Sequence, residues 1–105
     1  MKIMYRSKYF NMGKVVVSYK VSKLLMENKQ FAREVDLSLR RFCLKDWGII
    51  SDDDKQINED ALQYLDDLYL LGAYQTSCGR IWIITNRATE NPGDNVTTVL
   101  FPEER

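Results

Sequence analysis

Ile81-Trp82-Ile83-Ile84 places four apolar side chains in succession, and successive side chains of a strand point to opposite faces of its sheet. Such a run has to be covered on both sides. It marks a central strand, with helices over one face and further chain or a partner over the other. β-rich runs flank it at residues 68–74 and 96–101, within a strand reading of 80–85 for the middle segment. The turn Thr76-Ser77-Cys78-Gly79 joins the first pair, and a longer loop at 86–95, with the turn Asn91-Pro92-Gly93-Asp94, joins the second. The expected unit is a three-stranded antiparallel meander.

Helical spacing dominates the preceding residues. Phe31, Val35, Leu39 and Phe42 recur on one face, and Arg33, Asp36, Arg40 and Arg41 point elsewhere, which predicts an amphipathic helix of about four turns. It is expected to stop near Trp47, with Gly48 in the left-handed cap position. A shorter helix over 19–27 precedes it, with Ser18 as the cap for Val21, Leu24 and Leu25. Ser51-Asp52-Asp53-Asp54 reads as an N-cap followed by three acids in a first helical turn, favourable against the helix macrodipole. The apolar stripe of that third helix is Ile57, Ala61, Leu62 and Leu65, with an end at Asp66-Asp67. Val15-Val16-Val17 fits a strand or a helix entry, and residues 1–12 fit a first strand or an ordered arm. Helices followed by strands in blocks make the class α+β: two to three N-terminal helices on a C-terminal meander, with room for an added N-terminal strand.

At 105 residues and 45% hydrophobic, the chain is expected to form a single domain, 1–105, since a chain this size buries roughly 60–70% of its unfolded surface around one core. No apolar run reaches the roughly 20 residues of a membrane span or resembles a signal peptide, so a soluble cytoplasmic protein without a membrane partner is expected. Cys43 and Cys78 form neither a disulfide framework nor a C-x-x-C pair. Histidine is absent, which removes Ser-His and Cys-His dyads and imidazole acid/base chemistry. Ser51, Ser77, Thr97 and Thr98 have no base beside them. The expectation is no enzyme and no cofactor.

Charge is divided along the chain. Residues 1–45 hold 11 Lys/Arg against 3 Asp/Glu, and residues 46–105 hold 4 against 12, so a net +8 faces a net −8 within a neutral total. Polarity of this kind bears on partners rather than on chemistry. Asp46, Asp52, Asp53, Asp54 and Glu59 form the one dense carboxylate group, but an EF-hand loop starting at Asp52 requires Gly and Glu where Ile57 and Gln63 stand. Helix-start electrostatics accounts for the acids without a metal. Asp54 and Asn58, four apart, share a helical face, and a structural tie to the Asp46-Trp47-Gly48 turn is favoured for them over a ligand site. Trp82 and Trp47 are both read as core rather than as ligand platforms, Trp47 at a helix end where a tryptophan can be half-exposed. In the basic half, Lys2, Arg6 and Lys8 alternate with Tyr5, Tyr9 and Phe10, the cation and stacking composition that single-stranded nucleic acid requires. The candidate partner-binding residues are Arg40, Arg41, Lys45, Trp47, Asp52, Asp53, Asp54 and Asn58.

One series of motifs carries a resemblance to a known group. Ser38-Leu39-x-Arg41, Asp46-Trp47-Gly48, Asp54 and Asn58 with Ala61-Leu62, Ala73-Tyr74, Ile81-Trp82-Ile83-Ile84-Thr85 and Thr97-Thr98-Val99-Leu100-Phe101-Pro102-Glu103-Glu104 resemble a family of small proteins of bacteriophages, plasmids and conjugative elements. The resemblance covers about residues 31–105. It implies a mobile-element accessory protein and brings neither an activity nor a catalytic residue. This chain departs from the pattern at Arg41-Phe42, where the family has Arg-His, and between Thr85 and Thr97, where an insertion replaces a tighter, charged hairpin. The leading expectation is an interaction protein that occupies a host or element-encoded protein complex, as an anti-CRISPR inhibitor of a defence effector does. The alternative is a small nucleic-acid-binding factor that uses the basic N-terminal half; an enzyme built on the acid cluster ranks third.

Overall fold

A computed structural model of the chain describes residues 5–64, 69–87 and 91–105. It is α+β, with helices α1 (Tyr19–Glu27), α2 (Lys29–Cys43) and α3 (Asp52–Tyr64) and strands β1 (Lys14–Val17), β2 (Leu70–Thr76), β3 (Gly79–Asn86) and β4 (Val96–Leu100). The sheet order is β1-β4-β3-β2. β2, β3 and β4 form the expected antiparallel meander, but the sheet is four-stranded and mixed, because β1 pairs in parallel with β4. Val15–Val17 is thus strand, and residues 5–13 are an arm that leads into it.

Alternation along the strands selects the core. Leu70, Tyr74, Ile81, Ile83, Val99 and Phe101 are packed with Val21 of α1, with Phe31, Val35, Leu39 and Phe42 of α2, and with Ala61 of α3. Two threonines share that face. Thr97 donates to the Met12 carbonyl at 2.7 Å, which leaves Thr85 as the donor in the 2.7 Å contact between the two hydroxyls. Each buried polar group therefore has a partner, without which its burial would be costly. On the other face Ala73, Trp82 and Leu100 lie side by side in register, and Trp82 is half-buried rather than part of the helix-side core. Ile81 and Ile83 satisfy the covered face, and Trp82 and Ile84 the other.

Helix boundaries follow from caps. Ser18 and Ser51 accept from the amides of Val21 (3.2 Å) and Asp54 (3.1 Å), as expected of N-caps. Asn28 closes α1 and opens α2, its side chain accepting from the Phe31 amide at 3.0 Å. α2 stops at Cys43, four residues before the expected end. The amides of Lys45 and Asp46 turn back to the carbonyls of Phe42 and Arg41, and Lys45 takes the left-handed conformation at φ 63°. Gly48 also has positive φ, for another reason: a Cβ there would stand 1.9 Å from the Ala73 carbonyl oxygen. The inward face of α3 is rotated from the expected stripe, with Asn58 and Ala61 buried and Ile57 exposed. Leu65, Asp66, Asp67 and Leu68, on which the expected helix end and strand start fell, lie outside the described residues, as do Lys2 and positions 88–90 of the 86–95 loop.

Asn58 explains the rotation. Residues 71 and 73 of β2 turn their backbone groups away from β3. The Asn58 amide donates to the Leu71 carbonyl at 2.8 Å and accepts from the Leu71 N–H at 3.1 Å. Ala73 is served by the Trp47 carbonyl (3.1 Å) and the Ile49 N–H (2.8 Å), a single parallel bridge. A buried side-chain amide thus stands in for a neighbouring strand. Asn58→Leu leaves both Leu71 groups unpaired and should lower the unfolding free energy by about 2–4 kcal/mol. Ser51→Ala, which removes only a cap, should cost about 1 kcal/mol. Chemical denaturation of the two variants should show this order, and equal costs would contradict the role given to Asn58.

Candidate functional site

The nominated residues fall into three settings. Arg41, Lys45, Trp47 and Asn58 lie around the outer edge of β2, which the turn after α2 and Asn58 of α3 cover. Arg41 donates to Asp46 through Nε (2.8 Å) and Nη2 (3.2 Å), and the Gly48 N–H reaches the same carboxylate at 3.2 Å. The guanidinium holds the Asp46 carboxyl below its ordinary pKa. Tyr74 donates to the Asp46 carbonyl at 2.7 Å beneath the Arg41 guanidinium, which lies 5.2 Å from the ring centre. Trp47 packs edge-on against Phe42 at 5.3 Å and donates to Glu59 at 3.4 Å, and Lys45 Nζ stands 3.5 Å from the same carboxylate. Trp47 and Asn58 are 3% and 2% exposed, so these two side chains build the fold and offer no surface to a partner.

Arg40 is turned toward the arm. Its Nε donates to Asp36 at 2.9 Å, and the Tyr5 hydroxyl donates to the other oxygen of that carboxylate at 2.6 Å. Ser7 donates to the Cys43 carbonyl at 2.7 Å and Phe10 meets Phe42 edge-on at 5.5 Å, so the arm is strapped along α2. Tyr5 and Phe10 point inward, and Arg6, Lys8 and Tyr9 outward. Residues 5–13 line an open concavity of about 550 Å³. The Tyr9 ring is flanked by Lys8 at 5.4 Å and Lys45 at 4.8 Å, and these cations occupy the neighbourhood a stacked base would need.

Asp52, Asp53 and Asp54 are exposed in the first turn of α3, apart from the Arg41–Asp46 pair, and Asp54 does not join Asn58 in a common grip. Among the described residues, no group of three or more His, Cys, Asp or Glu side chains is placed to hold a metal ion. No helix among them is long and apolar enough to cross a membrane.

Two surface features escaped the sequence reading because they lie out of phase with the buried stripes. On α1, Tyr19 (82% exposed), Lys23 and Met26 (87%) share one outward face at i, i+4, i+7. On α2 and its C-cap residue Leu44, Arg33, Leu37 (59%), Arg40 and Leu44 (66%) make a second outward row, spaced 4, 3 and 4. Lys23, Lys29 and Arg33 form no ion pair among the described residues.

The strapping of the arm has a pH signature. The Tyr5 hydroxyl, followed by Arg40, holds the Asp36 carboxyl below its ordinary pKa, opposed by partial burial. A depressed carboxyl pKa stabilises the fold above the unfolded-state value, and that contribution is lost as pH falls through the folded value. Tyr5→Phe should therefore raise the Asp36 pKa in a carboxyl NMR titration, and its stability deficit against the parent should shrink toward acid. A deficit unchanged with pH would mean that Tyr5 acts through packing alone.

No family model, curated protein or solved structure matches the chain.

Proposed function

We propose that this chain is an accessory protein of a mobile element that acts without chemistry of its own, by docking on a protein complex of its host or element, with inhibition of a defence effector as the outcome. The observation that carries the reading is the outward face of α1. Tyr19 and Met26 share one outward helix face with Lys23, which forms no ion pair among the described residues, and aromatic residues and methionine are enriched at interfaces, with charge at the polar rim. Binding energy concentrates in such aromatic and methionine anchors, with surrounding charge setting encounter and orientation. Lys20 is held to Glu103 at 2.9 Å and lies 4.7 Å from the Phe101 ring, and Glu104 bonds Ser18 at 2.7 Å, so the end of the chain fixes the start of this helix. The Phe101-Pro102-Glu103-Glu104 motif thereby supports the docking face rather than forming it.

The test is affinity capture from host lysate with and without nuclease, followed by mass spectrometry. The expected result is one protein complex retained after nuclease and lost with Tyr19→Asp plus Met26→Glu, two exposed changes that leave the melting temperature within a few degrees of the parent. Loss of the partner on nuclease treatment, with a gel shift of submicromolar affinity at about 0.15 M salt, would favour the arm and its Arg6, Lys8 and Tyr9 as a nucleic-acid surface instead.

A further inference from the structure

The α2 row is matched by a second row on α3. Asp53, Ile57 (48% exposed) and Asp60 repeat the 4 and 3 spacing of Arg33, Leu37 and Arg40, with acids where α2 has arginines and an isoleucine where it has a leucine. Laid parallel, two helices with this spacing meet position for position, as in the seam of a coiled coil, so Asp53 falls opposite Arg33, Ile57 opposite Leu37 and Asp60 opposite Arg40. Within one molecule Arg33, Leu37, Arg40, Asp53 and Ile57 are exposed and Asp60 is half-buried, its carboxylate bonded to Gln56 on the same helix, so neither row covers the other. We propose that copies of this chain associate head to tail, the α2 row of one molecule against the α3 row of the next. This inference is independent of the docking reading, which rests on α1.

Intramolecular bonds leave both rows available. Among the described residues Arg40 bonds only through Nε, to Asp36, and Asp60 accepts from Gln56 on one oxygen. Arg33 and Asp53 have no ion-pair partner among the described residues. The two patches are different surfaces, so the contact is heterologous and propagates as an open chain or closes into a ring. A single helix pair buries well under the roughly 1,200 Å² of a stable interface, so the association is weak. Opposite charges across it make it stronger as ionic strength falls. The internal division into +8 and −8 then becomes a device by which a chain of zero net charge recognises itself.

Sedimentation equilibrium of the full chain tests this. At about 0.02 M salt and a few hundred micromolar protein, the weight-average mass should reach at least about twice the monomer, and about 0.5 M salt should return it to the monomer; the monomer mass is 12.3 kDa. Leu37→Asp, on an exposed position away from the core, should give the monomer at both salts. The pair Arg33→Glu with Arg40→Glu, and separately the pair Asp53→Lys with Asp60→Lys, should each be monomeric alone and associate when mixed. A charge control, Lys14→Glu with Lys29→Glu, should behave as the parent. A monomeric parent at low salt, association insensitive to Leu37→Asp, or mixed charge-swapped chains that stay apart would each overturn the proposal. A monomeric parent that still captures its protein complex would overturn self-association alone.

Discussion

The backbone groups on the outer edge of β2 must be paired, and much of the chain is arranged to pair them. An edge strand presents unpaired N–H and C=O groups that invite another strand. Here Asn58 serves Leu71, and the Trp47–Ile49 segment serves Ala73. Meeting this requirement determines where α3 lies, since Asn58 must face inward and Ile57 consequently faces out. It also determines how α2 ends, because the chain has to leave the helix in time to run Trp47, Gly48 and Ile49 beside β2. The Arg41–Asp46 pair is about half exposed, and pairs of that kind contribute little energy individually. Its role is to hold the turn that delivers Trp47 to its aromatic neighbours Phe42 and Phe10.

The opposite edge is treated differently. In β1 the parallel register spends Lys14 and Ser18 on β4, with their amides bonded to Asn95 and Val99, so the intervening Val15 and Val17 direct their backbone groups away from the sheet. That edge is four residues long and opens with an exposed lysine, features that discourage pairing with other chains. The sheet is thus plugged on one side and merely short on the other. With both strand edges defended, recognition is left to helix surfaces.

Local signals were legible and long-range ones were not. Ser18 and Ser51 announce helix starts because a cap is written within four residues, and the meander because its turns are. β1 could not be assigned, since its parallel partner lies some 80 residues away and nothing near Val15 encodes that pairing. Gly48 suggested a helix cap because glycine tolerates positive φ, whereas Lys45 takes that position and the glycine is needed for close approach to Ala73. Ile57 and Asn58 exchanged places because periodicity ranks apolar residues inward, and only the unsatisfied backbone of Leu71 reverses the order. The same bias placed Asn58 among surface candidates and passed over Leu37, Met26 and Tyr19, apolar residues that belong to no buried stripe; Trp47 joined the candidates because of its helix-end position, and its burial against Phe42 and Phe10 depends on the turn after α2.

Native-state hydrogen exchange tests the central claim most directly, because an amide exchanges slowly only when it is bonded and shielded. If Asn58 and the Trp47–Ile49 segment seal β2, the Leu71 and Ala73 amides should exchange as slowly as that of Ile83 in the central strand, and the Val15 and Val17 amides far faster. Asn58→Ala should release Leu71 selectively and leave Ala73 protected. Leu71 and Ala73 amides that exchange as fast as those of Val15 and Val17 in the parent protein would contradict the account.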